Sequence, residues 1–148
     1  MATTPKVRAI DVADYILGRL HSMSAMKLQK LVYYSQAWSL AWTEKPLFSE
    51  EIEAWANGPV VRTLYNIHRG HFRVGRGFFE GEPTRLSADQ RDTIRRVLNH
   101  YGDKDPQWLS NLTHIEKPWR SARKGLAEGE RGGAIITKES MLEYYSSL

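Results

Sequence analysis

The sequence predicts a mainly α-helical fold: a single compact helical domain around one long central helix, with a small β-hairpin or short-strand element. Three observations carry this. The stretch SAMKLQKLVYYSQAWSLAW, Ser24 to Trp42, has helical periodicity over about five turns. Shorter segments before and after it repeat the three-and-four apolar spacing behind good N-cap residues. Residues 70–86, with four glycines and a proline among aromatics and arginines, interrupt that periodicity.

Taken in chain order, Asp11 caps a short helix ending near His21, with Val12, Ile16 and Leu20 on one face. The SMS triplet breaks the pattern and Ser24 caps the long helix, which Pro46 stops near Glu44. On this helix Leu28, Leu31, Val32, Ser35, Trp38, Ser39 and Trp42 share one face. Tyr33, Tyr34, Ala37, Leu40 and Ala41 occupy the other, leaving almost no solvent side after the first turn. Such a helix is either central, with neighbours on both faces, or an open hydrophobic seat for a partner at Tyr33, Tyr34 and Leu40, rimmed by Lys27 and Lys30.

Ile52 to Trp55 is read as a short strand. Asn57-Gly58 turns the chain, Pro59 takes the first position of a helix, and Gly70 ends it. Residues 70–86 form a hairpin or ordered loop with Phe72–Val74 and Phe78–Phe79 as arms. Ser87 and Gln90 make a capping box for a helix through Tyr101, with Ile94, Val97, Leu98 and Tyr101 inward. Asp105-Pro106 opens the next helix, bearing Trp108, Leu109, Leu112 and Ile115, and Pro118 opens a short one. Ile135-Ile136 and a Thr137 cap precede the terminal helix with Met141, Leu142 and Tyr145.

Composition narrows the chemistry. The 148 residues suffice to bury roughly two thirds of the unfolded surface. There is no cysteine, which removes disulfides, thiolate metal sites and cysteine nucleophiles and fits a reducing cytoplasm. No apolar block suits a signal peptide or a membrane span, so a soluble cytoplasmic protein is expected. The net charge of +4 resides wholly in residues 62–96, where eight arginines face four acids. That segment suits an anionic partner, nucleic acid or an acidic protein surface, or is simply a solvated basic face.

The candidates for catalysis are few. His68 and His71 have a spacing that two metal ligands could use, but Gly70 separates them and no third ligand is near in sequence. His114 is read as a buried histidine bonded to a backbone carbonyl, and Glu50, Glu51 and Glu53 as a solvated strand edge. No phosphate loop, nucleophile elbow or zincin helix is present. No metal, cofactor or catalytic residue is expected, and the chain is read as no enzyme. Arginines interleaved with aromatics over 69–79 suit stacking on single strands, and Arg91, Arg95 and Arg96 share a helix face that could lie on duplex DNA, although no helix-turn-helix is legible. The same residue types are what protein interfaces favour.

Three blocks, MKLQKLVYYSQAWSLAW, LFSEEIEAWANGPVVRTLY and LTHIEKPWRSAR, together resemble the Panacea domain, the phage-associated SocA/GepA-like family, in the family's order. The resemblance runs from about Ile10 to Leu148. It implies an antitoxin of a type II toxin–antitoxin pair. Members commonly sit beside a toxin gene and neutralise its product by direct binding, and one branch delivers its bound toxin to a bacterial protease. It implies no catalysis. It carries Lys27, Leu28, Lys30 and Leu31 as the opening of the long helix, Trp55, Gly58 and Pro59 as the turn, and His114, Pro118 and Trp119 as fold positions of the third block. The expected partner surface joins the start of the long helix (Lys27, Lys30, Tyr34) to the basic segment (Arg69, Arg73, Arg76, Phe78, Phe79), and the expected partner is a protein toxin encoded by a neighbouring gene. A nucleic-acid regulator acting on its own promoter, and a hydrolase using His68, His71 and an acid from Glu50 to Glu53, are the alternatives.

Overall fold

In the computed structural model, which describes residues 6–148, the chain runs α1 (Ala9–Leu20), β1 (Ser22–Ser24), α2 (Ala25–Thr43), β2 (Ile52–Trp55), β3 (Gly58–Val61), α3 (Arg62–His68) and β4 (Arg73–Gly75). It continues through α4 (Ala88–Tyr101), α5 (Pro106–Ile115), α6 (Lys117–Ala122), β5 (Ile135–Ile136) and α7 (Lys138–Ser146). The fold is mainly α with two small antiparallel sheets, one pairing β1 with β4 and the other ordered β3-β2-β5.

The capping residues act as their chemistry requires. The hydroxyls of Ser24, Ser87 and Thr137 and the carboxylate of Asp105 each accept the third backbone N–H of the helix that follows. Ser87 and Gln90 close the capping box. On α4, Ile94, Val97, Leu98 and Tyr101 all point inward.

α2 is the central element. α7 and α4 pack on it most extensively, with α1, α5 and β3 completing the cover. From Leu28 to Ala37 every residue is buried, which resolves the open choice about its second face. Tyr33 and Tyr34 are enclosed, and Trp42, at the last turn, lies partly open beneath the guanidinium of Arg96, 4.0 Å from the ring centre. A helix apolar all round is here a buried axle.

Its polar side chains tie it to its neighbours. The Gln29 amide accepts the Val61 N–H (2.9 Å) and donates to the Val61 carbonyl (3.2 Å). Gln36 accepts the Leu47 N–H (2.7 Å) and donates to the Phe48 carbonyl (2.8 Å). Each glutamine completes the backbone bonding of a segment that has no full strand partner. Deeper in, Tyr34 (2.7 Å) and Tyr145 (2.8 Å) both donate to Oε1 of Glu116, Tyr33 donates to the Tyr145 hydroxyl (2.9 Å), and Tyr34 stacks flat on Tyr101.

Two expectations are corrected and one open choice is settled. Asp11 is not the N-cap of α1. Arg8 is, and Asp11 lies one turn inside, fully buried, accepting the N–H groups of Arg8 (2.8 Å) and Glu82 (2.7 Å). Pro59 does not begin a helix but sits in β3, an edge strand on which its missing N–H costs nothing. Of the two readings of residues 70–86, hairpin or ordered loop, the loop is what forms. β4 pairs instead with β1, so that SMS is a strand, and Phe78–Phe79 is a turn. The cause is Asp14, whose carboxylate takes the N–H groups of Phe79 (3.2 Å) and Gly81 (2.7 Å) that strand pairing would otherwise have used. Gly81 is required there, since a β-carbon would stand 2.5 Å from the Ile10 carbonyl oxygen.

Candidate functional site

The β2–β3 hairpin builds one wall of a broad concavity. Its turn runs from Trp55 to Gly58, and two side chains of the third sequence block, with Ser110 just ahead of it, hold that backbone from behind. Arg123 donates to the Ala54 carbonyl (3.0 Å), Trp119 to the Trp55 carbonyl (2.8 Å) and Ser110 to the Asn57 carbonyl (3.1 Å). The first block, α2, reaches it through the Gln29–Val61 bonds. The three blocks of the family resemblance thus converge on one turn. This is the structural meaning of their joint occurrence.

In front of the turn lies a groove of about 860 Å³. Its floor is the first half of α2, with Met26, Gln29 and Lys30; one wall is Trp55 and the 56–60 backbone; α3 gives Arg62, Tyr65 and His68, with Arg69 just past its end; the 131–133 loop closes the far side with Arg131. Trp55 and Tyr65 meet edge to face at 4.7 Å, and the Arg62 guanidinium covers Trp55. Gly58 holds φ +129°, and a β-carbon on it would stand 3.0 Å from Lys30 Cε, so the Lys30 stem crosses the hairpin where only glycine fits.

The groove is cationic. Arg62 is matched by Glu53 in a two-point pair, both contacts 2.8 Å, and that pairing holds the Glu53 carboxyl below its usual range. Among the described residues Lys30, Arg69 and Arg131 make no ion pair within 4.0 Å. Lys30 is only 2% exposed, and burial alone pushes its amine down to about 8. Beside it, His114 stacks on Trp119 at 4.2 Å with Nε2 buried and without a hydrogen-bond partner; burial first, then the Lys30 charge, lowers its basicity. His68 accepts from the Gln29 amide nitrogen (3.0 Å), since the Gln29 oxygen already takes the Val61 N–H. Burial keeps it neutral, with its proton on Nδ1.

The residues expected at the partner surface separate into groups. Lys30 and Arg69 meet in the groove. Lys27 turns away toward the acids Asp103 and Asp105. Arg73 and Arg76 are exposed on β4 and the turn after it, reaching the Ser22 hydroxyl and the Gly18 carbonyl. Tyr34 and Phe79 are buried in the core and Phe78 is half-buried against Phe79 and His71, so as folded neither Tyr34 nor Phe79 offers surface to a partner. Arg95 pairs with Asp92 and Arg96 covers Trp42, which occupies part of the α4 arginine face. Glu50 is no solvated edge residue: it accepts the Ala9 N–H (3.0 Å).

Trp55, Arg62, Met26 and Arg131 line the groove without having been legible as partners of Lys30. Only the WANGP turn signalled that something is built there. Arg131 lies beyond the basic segment, in the EGERGG turn, where charge counting shows no excess.

Among the described residues no three His, Asp or Glu side chains converge to hold a metal ion, and no helix is long and apolar enough to cross a membrane. No curated protein and no solved structure matches the chain. A family model described as antitoxin SocA-like, Panacea domain, matches residues 28–120, from the first turns of α2 to the middle of α6. That span is more than half of the chain, holds the second block whole and most of the first and third, and includes both strands of the hairpin: the protein belongs to the SocA-like antitoxin, Panacea domain family.

Proposed function

We propose that this chain neutralises a cognate protein toxin by binding it directly, that the groove in front of the β2–β3 hairpin is the centre of the contact, and that the chain catalyses no reaction. The observation that carries the reading is an open groove with three uncompensated cations in a member of an antitoxin family. A catalytic cleft gathers groups of opposed ionisation, an acid with a base or a nucleophile with its activator. Here the one carboxylate at hand, Glu53, is consumed by Arg62. Apolar surface continues from the groove mouth: Met26 is 43% exposed, and Phe72, whose carbonyl accepts the Ala25 N–H, is 79% exposed. Cations in a pocket with apolar residues beside it match the make-up of protein interfaces.

The test is co-expression. The product of the adjacent open reading frame arrests growth when made alone, growth returns when this chain is made with it, and the two co-purify. Persistent arrest with no complex contradicts the reading.

A further inference from the structure

Lys30 is the most anomalous charge in the molecule. It is almost wholly buried, lines the groove, and among the described residues has no ion-pair partner. A buried ammonium without a counter-ion is costly, and a carboxylate brought by a partner would offset that cost. The fold takes trouble to keep it: Gly58 leaves room for the stem, and the neutral His114 ring beside it adds no competing acceptor charge.

We infer that the groove receives an aspartate or glutamate side chain of the protein partner, whose carboxylate pairs with Lys30 Nζ on the floor while Arg69 and Arg131 hold neighbouring acids at the rim. The inference rests on the toxin-binding reading and specifies the chemistry the toxin must present. A protein side chain fits better than a phosphate backbone. The floor amine is nearly sealed, so a slender group on a flexible stem can reach it whereas a duplex rests on a ridge of exposed cations. The exposed Met26 and Phe72 beside the mouth also call for an apolar surface around the acid. A charge buried on both sides and paired only on association dominates such contacts, because removing either member strands the other.

The experiment measures toxin affinity by calorimetry for the unaltered chain, for Lys30→Met and for Arg69→Ala/Arg131→Ala. Lys30→Met is expected to raise Kd at least about thirty-fold while the free variant melts no lower than the parent, since it removes an unpaired buried charge. The rim pair is expected to raise Kd several-fold, chiefly by slowing association. One Asp or Glu of the toxin, changed to its amide, should reproduce the Lys30→Met loss without adding to it. Affinity of the parent should also fall above pH 8, by up to about tenfold per unit, because the bound amine must be protonated, and Lys30→Met should lack this fall. The other groups facing Lys30 do not mimic it: His114 on α5 and His68 on α3 titrate lower, Glu53 holds the Arg62 guanidinium above its ordinary range, and the remaining cations of the groove are Arg69 and Arg131. A complex that tolerates Lys30→Met overturns this inference alone. No complex with the parent chain overturns the toxin-binding reading and this inference with it. Saturable binding of inorganic phosphate or an oligonucleotide that needs Lys30, with toxin affinity unchanged by Lys30→Met, overturns it in favour of a phosphate site.

Discussion

Glu116, in the turn between α5 and α6, joins α2 and α7 through one oxygen, accepting from Tyr34 of α2 and Tyr145 of α7. Burial raises its carboxyl above the ordinary range, against the opposing pull of the two tyrosine hydroxyls. The folded chain therefore holds this proton more tightly than the unfolded chain. The contribution is most favourable below the unfolded carboxyl value, and it is lost as pH rises through the raised folded value. Glu116→Gln keeps an acceptor oxygen and removes the titration. Urea unfolding across pH 4–8 should show the parent losing stability relative to this variant as pH rises; parallel curves would contradict the assignment. Glu116→Leu strands two buried hydroxyls and should cost roughly 2–4 kcal/mol. His68 has the opposite sign. Burial lowers its value, so its neutral form and the bond from Gln29 are secure at neutral pH, and stability is lost as pH falls through the ordinary histidine range. His68→Gln should remove that acidic loss, as read by melting temperature between pH 5 and 7.

At the scale of elements, the β2–β3 hairpin depends on Gly58. Its φ of +129° and the Lys30 stem 3.0 Å from a would-be β-carbon both oppose any side chain. Gly58→Ala should destabilise the chain by about 1–3 kcal/mol and disturb Lys30, with denaturant unfolding as the check. An unchanged midpoint would show that the hairpin adapts. The helices were legible because their caps and periods are local: Ser24, Ser87, Asp105 and Thr137 declare themselves within four residues. The strands were not, because their pairing is remote. SMS pairs across some fifty residues with β4, and β2 finds its second neighbour at Ile135–Ile136. Nothing near Phe78–Phe79 reveals that Asp14 will take its amides. The burial of Tyr34 was open for the same reason, since the covering helix α7 lies at the far end of the chain. Within the site, Lys30 and Arg69 were legible as cations, but their meeting with Arg131 depends on a loop that follows by about sixty residues.

For the whole molecule, the buried α2 is an axle that fixes the groove, and what the fold presents to the outside is a cation-lined concavity beside exposed Met26 and Phe72. Recognition of this kind depends on salt. Rim arginines should make association faster at low ionic strength, with the dissociation rate governed by the buried contact. If this one groove holds the partner, amide hydrogen exchange of the chain with and without its toxin shows new protection concentrated in residues 26–30, 55–69 and 131–133. Protection confined to the α4 arginine face or the terminal helix, with the groove unchanged, would contradict it.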